Sequence, residues 1–311
     1  MSPLTVASYL MGIPPGNTNK EKPKIIHNFI KGVNAVGDKG AVVTGWHPMN
    51  TDVGVVQGFV HPGSKDTRHL RLRKAIFDNQ VNRGKRSIIV DANLFLYADP
   101  TNKNEFLRYS YDGVFPNTGD YCNDTPDPMR WQLLSSRLGI KLKPTQRNGN
   151  HILICCQRDG GWSMNGKSLL PWTIQTIHQV KKFSNRPITV RFHPGDKRSK
   201  EHKRILARNR IPNVSISETP NLLFDLQKAH CVINYNSSPS VAASIEGIPT
   251  IVLDPNRSQA AEVSHHSLSD IENLKEFDRE NWIHKMAQMH WTLDELKNGT
   301  AWKHLRKWAI K

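Results

Sequence analysis

The sequence predicts an α/β fold in two domains, each organised around a largely parallel sheet. Three observations predict it. Short apolar runs alternate with stretches of helical periodicity, the pattern of βαβ units. The length of 311 residues suits two medium α/β domains better than one. In the second half, four polar loops, QRDGGWS, RFHPGD, NSSP and DPNRS, each stand at the end of an apolar run.

In the first half, residues 41–45 and 53–60 read as strands, the second closed by the turn signal His61-Pro62-Gly63. A helix is expected over about 67–82, with Leu70, Leu72, Ala75, Ile76 and Val81 as apolar positions. Residues 87–90 form a buried strand ended by Asp91-Ala92-Asn93. Residues 99–150 are rich in Pro, Asn, Asp and Gly and read as a long ordered loop leading to a linker near 143–150.

The second half is more regular. Strands are expected at 151–156, 188–192, 214–217, 231–235 and 250–253. Helices fall at about 168–183, 200–209, 221–229 (capped by Thr219 or Asn221) and 241–246. Two tryptophan-bearing helices, 278–293 and 293–310, close the chain and are expected to dock their aromatic rings on a core.

Composition narrows the function classes. Hydrophobic residues make up 37%, with 8 Trp and 10 Phe, which excludes a disordered chain. No run of 18 apolar residues exists, so no membrane span is expected, and the N-terminal segment lacks the pattern of a signal peptide. Cys122, Cys155, Cys156 and Cys231 make no CxxC pair. Neither a zinc site nor a disulfide framework is expected, and a cytoplasmic setting follows. The net charge of +16 fits either a passive basic surface or a polyanionic partner such as nucleic acid.

In open parallel sheets, ligands bind outside the carboxyl ends of the strands, where the four loops lie. Gly160 and Gly161 let backbone N–H groups approach an anion, and Arg158 can grip a phosphate with two hydrogen bonds. Gln157, Trp162 and Ser163 complete that loop. Ser237 and Ser238, between Asn236 and Pro239, open a helix; they are either ordinary N-caps or anion ligands. His193 precedes Pro194 and is held extended at a strand end. Glu246, eight residues after Ser238, is either a ribose acceptor or a surface carboxylate.

The segment HCVINYNSSPSVAASIEGIPTIVLDP resembles the C-terminal domain of GT-B glycosyltransferases, in which a strand, a serine-bearing loop and a helix ending in E-x-x-G-x-P hold the donor nucleotide. The His193-Pro194 and Ser237-Ser238 pairs are similar to motifs of bacterial sialyltransferases and capsule-type sugar transferases. RYSYDGVFPNTGDYCN, GNHILICCQRDGGWSM and RFHPGD resemble glycosyltransferases of T-even-like bacteriophages, over most of residues 85–305. The resemblance implies GT-B architecture: two Rossmann-like domains facing across a cleft, with C-terminal helices packing back on the body. It places an acceptor-side, DNA-binding domain at 1–147, a nucleotide-sugar domain at 148–290 and a returning helix at 291–311. It also implies a monomer that needs no cofactor beyond the donor, UDP-linked by default, with CMP kept open by the HP and SS pairs.

Such phages glycosylate hydroxymethylated pyrimidines in their own DNA, so the resemblance supplies an acceptor, 5-hydroxymethylcytosine in duplex DNA, and a sugar of glucose or arabinose type. Lys65, Arg68, Arg71, Arg73, Lys74, Arg83, Lys85 and Arg86 then form a phosphate-neutralising stripe, or else a solvated face. A second basic run covers 197–210. Inverting transfer needs a base. Asp91, at the end of its strand and facing the cleft, is the first candidate, Asp112 the second and Asp52 the third. No D-x-D doublet suggests a metal-bound enzyme, so Arg158, Arg191 and helix dipoles are expected to stabilise the leaving diphosphate. The rival readings are a transferase for a polysaccharide or small acceptor, and a DNA-binding protein on a degenerate transferase fold.

Overall fold

A computed structural model describes residues 2–13, 21–61, 66–99 and 105–310. They pack as two compact units, Met1–Trp131 with Lys285–Lys311, and Gln132–His284.

The first unit contains β1 (Thr5–Tyr9), α1 (Glu21–Ala35), β2 (Lys39–Val43), β3 (Val53–Gln57), α2 (Arg68–Asn82), β4 (Arg86–Asp91) and β5 (Phe106–Tyr111). α3 (Pro128–Leu138) crosses into the second unit. That unit holds β6 (His151–Cys155), α4 (Leu169–Val180), β7 (Ile188–Arg191), α5 (Ser199–Arg208), β8 (Val214–Ile216), α6 (Leu222–Leu226), β9 (Ala229–Asn234), α7 (Pro239–Ile245) and β10 (Thr250–Val252). α8 (Glu280–Gln288) leads back to the first unit, which ends with β11 (His290–Thr292), α9 (Leu293–Lys297) and α10 (Thr300–Leu305).

The first sheet has the order β11-β5-β4-β3-β1-β2. β1 to β4 run parallel, β5 pairs antiparallel with β4, and β11 antiparallel with β5. The second sheet, β10-β9-β6-β7-β8, is parallel throughout. The expected α/β class with parallel sheets is what the structure contains.

Local sequence accounts for most of these elements. Thr67 caps α2 by accepting from Leu70 N–H at 3.4 Å, and the helix buries Leu72, Ile76 and Gln80. α4 buries Leu169, Trp172, Thr173, Thr176, Ile177 and Val180 on one face. Of the two proposed caps of α6, Asn221 is the one used, accepting from Leu223 N–H at 2.9 Å.

Three expectations need correction, the first being the helix expected over 293–310, which Gly299 at φ +86° breaks into α9 and α10. The stretch 99–150 is not all loop, for it holds β5 and α3. Arg108 interrupts the apolar run of β5 in sequence, but in the fold it is buried and paired with Asp91 on β4. The helix expected over 278–293 ends at Gln288, because 290–292 pair with β5 as a fully buried strand. The aromatic docking does occur: Trp282, Trp291 and Trp302 are buried. Trp302 donates its indole N–H to Asp38 at 2.7 Å, and Arg306 donates to the same carboxylate at 2.6 Å.

The turn-rich segment 143–150 lies within the second unit, where Lys143 N–H bonds Ile245 O at 2.8 Å and Gln146 N–H bonds Gly247 O at 2.7 Å. All four cysteines are buried and unpaired, and burial pushes Cys156 and Cys231 up to about 12. Among the described residues, no helix is long and apolar enough to cross a membrane.

Candidate functional site

In the second unit the chain lays down β6, steps to β7 and β8 on one side, then returns to β9 and β10 on the other. The order therefore reverses between β6 and β9, and at such a point the loops diverge and leave a crevice at the carboxyl edge. All five strands are parallel, so the loops at 157–163, 193–196, 236–239 and 254–258 emerge at that one edge.

The loops are joined to one another. Gln157, buried at 5% exposure, accepts from Asn236 N–H and donates to Ser163 Oγ, both at 2.9 Å. Asn236 Nδ2 donates to Ser163 O at 2.9 Å and to Asp254 at 3.0 Å. Asp159 accepts from Leu169 N–H at 2.9 Å, so the β6 loop itself caps α4, and its other oxygen pairs with Arg198 at 2.6 Å. His202, on the buried face of α5, sits between Asp196 at 3.3 Å and Asp159 at 3.6 Å. Asp159, Asp196 and His202 were not singled out from the sequence. Their signal was faint: one histidine in a basic helix and two loop aspartates.

Several polar groups on this edge are left uncommitted. Gly195 N–H donates to His193 Nδ1 at 2.9 Å, which places the ring proton on Nε2. Burial and the Arg158 charge hold His193 below its usual pKa, against the opposing charge of Asp196. It is therefore a neutral donor at pH 7, and among the described residues Nε2 has no partner. Arg158 is exposed and lies against Gly195, where a Cβ would come within 2.8 Å of its guanidinium. The Ser238 hydroxyl makes no cap bond, and Ser237 Oγ is buried without a partner among the described residues. Gly160 adopts φ +64°, which turns the backbone sharply beside Gly161. Trp162 opens a 3-10 turn, Trp162–Met164, and Pro194 and Pro239 hold the loop and helix starts.

Two expected donor ligands are elsewhere. Arg191 is 8% exposed, paired with Asp225, and donates to Thr219 O and Pro220 O, each at 2.8 Å. Its guanidinium is consumed inside the unit and has little left for a diphosphate. Glu246 lies at the C-cap of α7, about 12 Å along the helix from Ser238 at 1.5 Å per residue, and pairs with Lys143. The helix carries it away from the loops, so it anchors Lys143 and does not face a ribose.

The three carboxylate candidates of the first unit separate by edge. Asp91 ends β4 at the carboxyl edge of the parallel strands, with one oxygen paired to Arg108 and the other accepting Ala92 N–H at 2.8 Å. Asp112 follows the antiparallel β5 and so lies at the opposite edge, where it accepts from Arg86 at 2.8 Å and Ser87 N–H at 3.0 Å. Asp52 precedes β3 at that same far edge. Burial disfavours its charge, but Lys85 at 2.8 Å and Thr5 outweigh this and hold its carboxyl at about 2.

The basic stretch does not form one continuous face. Lys65 lies outside the described residues. Arg68 stacks over Trp46 at 3.9 Å, Arg71 pairs with Asp66 and Lys74 with Asp78, all on exposed α2 positions. Arg83 donates to Thr51 O at 2.9 Å, Lys85 binds Asp52, and Arg86 is buried between Asp112 and Asp120. Arg73 turns inward to Gly12 O at 2.8 Å.

No protein-family model matches the sequence, and no curated protein matches it. Solved structures do match the fold. The KpsC β-Kdo 2,4-transferase of Thermosulfurimonas dismutans aligns with TM-score 0.54 and 11% identity over 96% of this chain and 99% of that one. The KpsC β-Kdo 2,7-transferase of the same organism aligns with TM-score 0.53 and 11% identity, over 96% and 98%. At this identity the likeness is one of fold alone: an α/β chain with two sheets, the class that the sequence predicts.

Proposed function

We propose that the chain is a glycosyltransferase whose second unit holds a nucleotide-sugar. The observation that carries this is the cluster at the β6/β9 switch point. Arg158, the Nε2–H of His193, the Ser238 hydroxyl and the Gly160-Gly161 backbone stand at one edge without internal employment that would remove them. Fixed donors of this kind stabilise the charge that develops on a departing phosphate. In an inverting transfer the acceptor oxygen bonds to the anomeric carbon as the bond from that carbon to phosphate oxygen breaks. Asp91 takes the acceptor proton.

The acceptor we propose is 5-hydroxymethylcytosine in DNA. Support comes from the net charge of +16 and from the phage-type sequence stretches. Arg68, Arg71 and Lys74, which share the exposed side of α2, are the cations best placed for backbone phosphate. Reaching a base in duplex DNA requires flipping it from the stack. The test is incubation with hydroxymethylcytosine DNA and a panel of UDP- and CMP-sugars, followed by nucleoside mass spectrometry. A mass increase of one sugar residue is expected, and no increase with any donor rejects the reading.

A second reading has its own support. The HP and SS pairs flank the β6 loop on both sides, and the matching folds are those of enzymes named for Kdo transfer. This favours a CMP-sugar donor and a saccharide acceptor. The same panel separates them, since CMP-sugar turnover on an oligosaccharide with none on DNA selects the second reading.

A further inference from the structure

The first sheet has a switch point of its own. β1 is flanked by β2 on one side and β3 on the other, so the order reverses between the carboxyl ends of β1 and β3. Arg73, projecting from α2, spans that point. Its Nε donates to Gly12 O in the turn after β1, at 2.8 Å. Its guanidinium also lies against Gly58 after β3, where a Cβ would fall 2.7 Å from Nη1. Gly58 adopts φ +83°, and its N–H bonds Val90 O at 2.8 Å. That bond sets Gly58 beside Asp91 on the neighbouring strand, about 5 Å away by strand spacing.

Arg73 opens on a pocket of about 380 Å³ walled mainly by Val56, Phe59, Val60, Leu70 and Phe77. Two acids also line it, but Asp66 is paired with Arg71 and Asp78 with Lys74. Among the described residues no carboxylate pairs with Arg73, and burial alone draws its pKa down to about 10. A guanidinium held in poor solvent without a counter-charge is unfavourable, and its planar fork suits a two-point bond to an oxyanion.

We infer that this pocket receives an anionic group, phosphate or carboxylate, carried by the acceptor, with Arg73 gripping it one strand away from Asp91. The acceptor role rests on the transferase reading. The anion site itself does not. A gripped anion would fix the acceptor so that a nearby hydroxyl faces the Asp91 carboxylate, and the apolar walls would take the uncharged part of the same molecule.

Titration calorimetry on the full chain without any donor tests the site apart from the transferase reading. The probes are 5-hydroxymethyldeoxycytidine 5′-monophosphate against its uncharged nucleoside, and glucuronate against glucose. In at least one pair the charged member is expected to bind 10-fold or more tightly than the neutral one, an advantage that Arg73→Met abolishes. If that variant is unstable on thermal melting, Arg73→Lys, which keeps charge but not the fork, is expected to cut the advantage several-fold. A response in the first pair identifies a nucleotide phosphate as the source, and a response in the second an acidic saccharide. Equal binding of charged and neutral probes, or an advantage untouched by both variants, overturns the inference. Calorimetry that succeeds while no donor supports transfer would reject the transferase and leave the anion site standing.

Discussion

Gln157 and Asn236 join the two sides of the β6/β9 switch point, the Asn236 N–H donating to the Gln157 carboxamide at 2.9 Å across 79 residues of sequence. The same carboxamide donates to Ser163, so one buried side chain sets the spacing of two of the candidate loops. Gln157→Ala leaves a buried N–H without its acceptor, which costs about 1–3 kcal/mol. Both a lower urea midpoint and a higher KM for the donor are expected. A variant that lost stability with donor KM unchanged would separate the bridge from the site.

His193 and Ser238 are predicted to act on the donor and not on the fold. Hydrogen bonds to charged groups contribute about 1.5–3 kcal/mol, so His193→Ala should weaken nucleotide-sugar binding roughly 10- to 150-fold. Ser238→Ala should weaken it less, while the melting temperature of either variant stays near that of the parent. Isothermal titration with UDP- and CMP-sugars measures both, and unchanged affinity in His193→Ala removes it from the site.

Asp91 and Asp112 are predicted to behave oppositely, because they stand at opposite edges of one sheet. Asp91→Asn should lower kcat by about 10²–10⁴, the usual range for loss of a general base. Asp112→Asn should leave kcat nearly unchanged. It should instead lower stability, since the Arg86 and Ser87 contacts at 2.8 and 3.0 Å lose a charge-assisted acceptor. Steady-state kinetics beside urea unfolding of each variant checks the pair.

His290 supplies the pH dependence. It is fully buried, donates to Met286 O and accepts Leu94 N–H at 3.1 Å, and burial pushes its pKa down to about 3. The unfolded chain has an ordinary histidine near 6.5. Between these values the unfolded state binds the extra proton, so the stabilising effect is complete above about 6.5 and is lost as pH falls toward 3. The slope from this residue is at most about 1.4 kcal/mol per pH unit. Urea unfolding at pH 7 and pH 5 should show a smaller pH difference in His290→Asn than in the parent. An equal difference in both would place the sensitivity elsewhere.

The second sheet was the more legible half. Its strands are short apolar runs closed by Gly, Pro, Asn or Asp, and the loops that follow them reach one edge because the sheet is parallel. β5 was not legible, since Arg108 sits mid-strand and its partner Asp91 lies 17 residues earlier. β11 was hidden for a related reason: the tryptophan periodicity of 278–293 suits a helix, and only pairing with β5 makes 290–292 a strand.

The sequence by itself determined the α/β class, the positions of most strands and helices, and the identity of the polar loops at strand ends. Those depend on residues near one another in the chain, through periodicity, caps and turns. Only the tertiary structure decided which polar groups in those loops remain available. Arg191 is spent on Asp225, 34 residues away, and Glu246 on Lys143, 103 residues away, whereas His193 Nε2 and the Ser238 hydroxyl meet no such partner among the described residues. A charged side chain is free or consumed according to which distant residue the fold brings beside it, and local pattern carries no record of that.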